Sequence, residues 1–159
     1  MLISTKGRYA LRVMIDLAQQ ETAESVRLSE VAGRQGISEK YLESIVVVLS
    51  RAGLVRGTRG KGGGYRLAKT PSEYGIGEIL RLTEGSLAPV ACLKEQPNSC
   101  EWVGVCKTLP MWESLAHVIV AFFDHITLQE LVNGTIPQLE LHRVSETGKK
   151  APISDNGKM

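Results

Sequence analysis

Three cysteines stand close together in the second half of the chain, spaced as Cys92-x7-Cys100-x5-Cys106. Thiolates are soft ligands, and three of them on one segment supply three of the four positions of an iron–sulfur cluster. The same residues admit other chemistry. They could hold zinc with a carboxylate or histidine, although the Cys-x-x-Cys spacing of zinc sites is absent. They could form a metal-free thiol switch, or be three structural cysteines. Three thiols cannot all pair within one chain, so a complete disulfide framework is excluded. Pro89, Pro97 and Asn98 keep the surrounding residues 86–107 irregular, so the cysteines are expected on a loop.

A second group carries charge. From Arg51 to Lys69 there are six basic residues and no acidic one: Arg51, Arg56, Arg59, Lys61, Arg66 and Lys69. Residues 1–70 hold 12 Lys/Arg against 6 Asp/Glu, and residues 71–159 hold 7 against 11. The overall charge of +2 therefore hides a basic half suited to a polyanion and an acidic half that is not. A solvated charged surface is the alternative. The glycines from Gly57 to Gly64 could also suggest a phosphate cradle. The Walker pattern is missing, however, and the run does not lead from a strand into a helix. No Ser-His-Asp, His-Glu-x-x-His or paired-carboxylate arrangement is present, so an enzyme is not expected. A metal-binding protein-interaction module would use the cysteine loop but leave the basic hairpin idle.

The elements that must position these groups follow from periodicity. Residues 4–20 read as a helix, with Tyr9, Val13 and Leu17 beside Leu11, Met14 and Ala18, capped by Ser4 or Thr5. Residues 28–35 read as a short helix facing inward through Leu28, Val31 and Ala32, with Ser29 as its candidate cap and Gly36 as its end. Ser38 caps a helix from Glu39 to Ala52, buried through Leu42, Ile45, Val46 and Leu49. Two helices joined by a glycine turn form a helix-turn-helix. Leu54–Arg56 and Tyr65–Ala68 read as a strand pair around the glycine run, which makes a basic wing.

Gly77–Thr83 predicts one more helix, closed by Gly85. A long helix follows over 109–126, with Thr108 as cap and Pro110 tolerated in its first turn. Trp112, Leu115, Ala116, Ile119, Val120, Phe122, Phe123 and Ile126 make it apolar around most of its circumference. Such a helix needs a second surface, either a two-fold partner or the rest of its own chain. Thr127 to Glu130 fits a capping box for a last short helix. The fold class is thus mainly α with a small β-hairpin wing: a winged helix-turn-helix plus a long C-terminal dimerisation helix. The expected division is 1–85 for DNA binding, 86–107 as sensor loop, 108–133 for dimerisation and 134–159 as a polar, disordered tail.

The chain is 43% apolar, so it should be globular. Lys6, Arg8 and Arg12 interrupt any secretory apolar stretch, and the longest apolar run, Val118 to Phe123, is too short for a membrane span. No membrane contact and a cytoplasmic location are expected.

Several uncommon strings occur in a fixed order. They are Ser4-Thr5-Lys6-Gly7-Arg8-Tyr9-Ala10, Gln35-Gly36-Ile37-Ser38, Lys40-Tyr41-Leu42-Glu43, Ala52-Gly53-Leu54-Val55, Arg59-Gly60, Gly62-Gly63-Gly64-Tyr65, Ile126-Thr127-Leu128 and Glu130-Leu131-Val132. In these, from Met1 to about Asn133, the chain resembles one family of winged-helix regulators. That family includes the iron–sulfur cluster regulator IscR, the nitric-oxide-sensitive repressor NsrR, the iron regulator RirA and the cysteine regulator CymR. The resemblance implies a homodimer on a near-palindromic double-stranded DNA operator, with Ser38, Tyr41 and Glu43 opening the recognition helix and Arg59 entering the minor groove. Glu43 can accept from cytosine N4, and arginine suits a narrow minor groove. Lys6, Lys40, Arg51 and Lys61 are then phosphate contacts. Ser38 could be only a cap, and Tyr41 could simply pack against the hairpin.

The resemblance also implies an iron–sulfur cluster on Cys92, Cys100 and Cys106, spaced more as in RirA than in IscR. The histidine that IscR has three residues past its last loop cysteine is replaced here by Leu109. The acidic position of NsrR's first helix is Arg8. The fourth ligand is thus open among Glu95, Glu101, a small thiol and water, which favours [4Fe–4S] over [2Fe–2S]. A cluster-free thiol-responsive or cysteine-metabolism regulator of the same fold is the alternative.

Overall fold

The computed structural model describes residues 3–20, 25–60, 62–95 and 97–136, together with the backbone of 142–144 and 150–152. Helix α1 (Thr5–Gln19) starts at Ser4, whose side chain accepts from the Gly7 N–H. Its inward stripe, Ala10, Val13, Met14 and Leu17, lies at the centre of the core. Helix α2 (Leu28–Gln35) ends at Gly36, which adopts the left-handed conformation expected of it. Its N-cap is Arg27, without a side-chain cap bond, and not Ser29. The helix starts two residues earlier than a Ser29 cap would allow because Leu28 is buried and must already face inward.

Helix α3 (Glu39–Arg51) is capped by Ser38, and its predicted stripe of Leu42, Ile45, Val46 and Leu49 is fully buried. Strands β1 (Val55–Thr58) and β2 (Gly64–Leu67) pair antiparallel, from Val55 opposite Leu67 to Thr58 opposite Gly64. Val26 adds a third edge by exchanging both backbone bonds with Tyr65, at 2.9 and 2.8 Å. Gly64 is obligatory there, since a Cβ would collide with the Val26 carbonyl.

Helix α4 (Ile76–Glu84) packs on α1 and closes at Gly85. Its last residue, Glu84, accepts from the Ser4 hydroxyl at 2.7 Å and from the Ser4 N–H. The cysteine segment contains one 3-10 turn, Ala91–Leu93. Helix α5 (Leu109–His125) follows. Thr108 occupies its N-cap position with helical backbone angles (φ −92, ψ −12), so its hydroxyl makes no cap bond. Among the described residues, α5 has no fully buried side chain.

Helix α6 (Leu128–Asn133) begins with the predicted capping box of Thr127 and Glu130. The chain there is tied back to the start of α4. The Ile76 N–H donates to the Ile126 carbonyl and the Leu128 N–H to the Tyr74 carbonyl, both at 2.9 Å. Of the expected tail 134–159, residues 137–141, 145–149 and 153–159 lie outside the described residues. Between them the backbone of His142–Val144 pairs with Lys150–Pro152.

Candidate functional site

The turn from α2 to α3 presents the first turn of α3 to solvent. Ser38, Glu39, Lys40, Tyr41 and Glu43 are all exposed, and the Ser38 hydroxyl accepts from the Tyr41 N–H at 3.4 Å. The early N–H groups of a helix and its positive dipole end attract phosphate. One helical turn on from Glu39, Glu43 lies on the same face.

Both carboxylates line an open groove of about 350 Å³, closed on its far side by Thr58, Gly60, Gly63, Gly64 and Tyr65 of the wing and bordered by Arg27. The fold therefore brings Glu43 and the wing to one concave surface. Arg59 stands exposed at the wing tip, where the Gly63 N–H donates to the Gly60 carbonyl at 2.9 Å. Gly60 and Gly62 adopt the positive φ values (98 and 89) that such a turn requires.

The remaining basic candidates are spread out. Arg51 is exposed at the far end of α3, about 20 Å along the helix axis from Ser38. Lys6 is half-buried in the first turn of α1. Lys61 lies outside the described residues. The Tyr41 ring meets Tyr9 of α1 edge-on, with centroids 5.8 Å apart.

Other contacts had no periodic trace in the sequence. Arg12 of α1 donates to Gln35 and lies over the Tyr9 ring. Asp16, 2% exposed, is held by Arg34 at 2.6 Å and by the Gln35 amide at 2.8 Å. That carboxylate raises the Arg34 pKa above its ordinary value, chiefly through the hydrogen bond. An aspartate on the inward face of an otherwise apolar helix was the available signal for this clamp.

The three cysteines are unpaired and half-buried. Cys92 sits in the Ala91–Leu93 turn. The Cys100 N–H donates to the Asn98 side chain at 2.9 Å, while the Asn98 Nδ2 is buried with no hydrogen-bond partner among the described residues. The Cys106 Sγ lies 3.4 Å from the Thr108 hydroxyl, which holds the thiol pKa below its ordinary value, with help from the Thr108 N–H. Among the described residues, no three His, Cys, Asp or Glu side chains are gathered at metal-binding distance. The donor set nonetheless suits an iron–sulfur group: three available thiols, one biased toward thiolate, and a spare amide donor beside Cys100. Glu95 accepts from Ser99 at 3.2 Å, and both Glu95 and Glu101 are exposed. Trp102, Val103 and Val105 on the same loop are exposed too, Trp102 by 69%.

A helix-turn-helix, an adjoining basic wing and a long apolar helix define a winged helix-turn-helix DNA-binding protein. Residues 3–134 match the Rrf2 family, described as an iron-dependent transcriptional regulator, and the chain belongs to that family. It is 38% identical over 133 residues to the HTH-type transcriptional regulator IscR of Escherichia coli O1:K1 / APEC, covering 84% of this chain and 81% of that one. Among solved structures it is similar to CymR (YrzC), the global cysteine regulator of B. subtilis, at 35% identity and a TM-score of 0.69 over 85% of this chain and 98% of that one. It is also similar to T. potens IscR, at 37% identity and a TM-score of 0.67 over 84% and 88%. The protein is a DNA-binding transcription regulator and not an enzyme. No described helix is long and apolar enough to cross a membrane.

Proposed function

We propose that this regulator is a cytoplasmic homodimer that binds a near-palindromic operator and reports iron–sulfur, iron, nitric oxide or redox status through Cys92, Cys100 and Cys106. The observation that carries the sensing reading is three unpaired thiols on the one stretch between α4 and α5; on this reading 86–107 is the sensor loop, 1–85 binds DNA and 108–133 dimerises. The three thiols would hold an iron–sulfur cluster, of [4Fe–4S] type ahead of [2Fe–2S]. Glu95, Glu101, a small thiol or water would take the fourth position. When bound, the cluster supplies iron–thiolate bonds that respond to iron supply and oxidants.

The residues of the chain do the rest. Cys92, Cys100 and Cys106 must converge from their present separate positions, which reorders the loop. The loop begins beside Glu84, which holds the start of α1, and ends at the start of α5. Reordering it changes how the two recognition helices of a dimer are spaced, and an operator of fixed half-site spacing selects one state. Ser38, Tyr41, Glu43 and Arg59 read the operator, while Lys6, Lys40, Arg51 and Lys61 contact phosphates.

A second reading keeps the fold and drops the cluster. The thiols are not gathered, the Cys106 pKa is lowered, and two similar structures are the cysteine regulator CymR and its Staphylococcus aureus counterpart. On that reading the loop senses thiol chemistry directly.

Anaerobic purification separates the two. Visible absorption, iron and sulfide content, and DNA binding are measured on one sample. A coloured protein whose operator affinity changes on cluster loss supports the cluster reading. A colourless protein that also resists reconstitution, and binds DNA regardless, leaves thiol sensing.

A further inference from the structure

We propose that Arg12, on α1 and outside the DNA contacts assigned above, is a positioning residue that fixes the helix-turn-helix turn and with it the reading edge of α3. The inference rests on α3 being the recognition helix. Arg12 is exposed, yet two of its guanidinium nitrogens bind its own chain. Its Nε donates to the Gln35 side-chain oxygen at 2.9 Å, and its Nη2 donates to the Gln35 backbone carbonyl. Gln35 is the last residue of α2, where carbonyls lack intrahelical partners and the helix dipole favours a cation. A planar fork satisfies two acceptors at once, which a lysine ammonium cannot reproduce in one geometry.

The other end of Gln35 is also fixed. Its amide nitrogen donates at 2.8 Å to the buried Asp16, which Arg34 clamps through both carboxylate oxygens. Arg12 meanwhile lies 5.3 Å above the Tyr9 ring, and Tyr9 meets the Tyr41 ring edge-on at 5.8 Å. Tyr41 stands in the first turn of α3, its N–H on the Ser38 cap. One side chain thus braces the chain before Gly36, through Gln35, and after Ser38, through Tyr9 and Tyr41. Each contact is modest at a surface. Base-edge recognition, however, tolerates errors of only about 0.5 Å in a reading side chain, and this turn sets that placement.

The experiment starts from a duplex selected by the unaltered protein from a randomised pool, compared with a scrambled duplex of equal length across a salt series. Arg12→Ala should weaken binding to the selected duplex by about tenfold. Binding to the scrambled duplex and the salt slope should stay as they were, and Arg12→Lys should not restore the loss. In a double-mutant cycle, Arg12→Ala and Tyr41→Ala should be non-additive on the selected duplex.

Equal losses on both duplexes with a salt slope reduced by about one would make Arg12 a mere phosphate contact and overturn the proposal. So would unchanged affinity, or additivity in the cycle. Glu43→Ala is run alongside. If it also leaves base preference untouched, α3 is not the reader and the parent assignment fails. If it shifts preference while the Arg12 variants are silent, only this inference fails.

Discussion

The hydroxyl of Tyr74 donates to the backbone carbonyl of Leu54 at 2.8 Å, across twenty residues of chain. The same oxygen accepts from the Ala68 and Lys69 N–H groups, at 2.8 and 2.7 Å. One fully buried phenol thereby satisfies three backbone groups at the root of the wing. Tyr74→Phe strands the Lys69 N–H and leaves the Leu54 carbonyl and the Ala68 N–H only their mutual bond at 3.1 Å, and a stranded group is costly. The variant should lose about 1–3 kcal/mol of unfolding free energy, read from urea denaturation with an unchanged m-value. A loss under 0.5 kcal/mol would mean that water reaches these groups.

Glu43 shares its groove with Glu39, Arg27 and the wing, so repulsion from phosphate has to be offset by base contact. Glu43→Ala should broaden base preference in a binding-site selection while the salt slope holds. Lys40→Ala should do the opposite, weakening all duplexes alike and lowering the slope by about one. An unchanged preference in the Glu43 variant would remove it from the reading set.

Met111, Leu115 and Val118 lie on one stripe of α5 and are 54%, 40% and 39% exposed in the single chain. A stripe of that kind suits a two-fold partner. Leu115→Lys should convert a sedimenting dimer into a single chain and reduce operator affinity, with the circular dichroism of the monomer retained. A dimer that survives the substitution would place the interface elsewhere.

Two carboxylates set an acid limit. Glu130 is held below its ordinary value, near 4.5, first by the Thr127 N–H and then by its hydroxyl. Glu73 is held down by the Thr70 hydroxyl and N–H. A depressed folded-state value stabilises the protein above the unfolded value and loses that contribution as pH falls through the folded one. Melting temperature should therefore drop as pH falls below about 4.5. Glu130→Gln with Glu73→Gln should flatten that drop, and an unaltered pH profile in the double variant would show that other groups control it.

Helices α1 to α4 were legible because each buries a periodic stripe, and the wing because of its glycine run. Leu42, Ile45, Val46 and Leu49 mark α3 from spacing alone, and Gly36 and Ser38 mark its approach. The capping box at Thr127 was equally local. What spacing does not carry is the partner of a polar side chain. Ser29 and Thr108 are good caps by residue type. The first was displaced by the need to bury Leu28, and the second by helical backbone angles that turn its hydroxyl to Cys106. Tyr9 was readable as an inward residue but not as the neighbour of Tyr41. Tyr74, Arg12 and Glu84 act over sequence distances that no periodicity samples. The cysteine loop was legible as donor chemistry, whereas the positions of its thiols leave no periodic signal in an irregular segment.

The return of the chain at Ile126–Leu128 has a mechanical consequence. Its backbone bonds go to Tyr74 and Ile76, and the Tyr74 side chain is also the anchor of the wing. The C-terminal end of α5 is therefore the fulcrum of a lever, and the wing root shares its pin. A residue inserted between Thr70 and Tyr74 would re-phase both at once, tilting the α5 beam and displacing the wing, even with every DNA-facing side chain left intact.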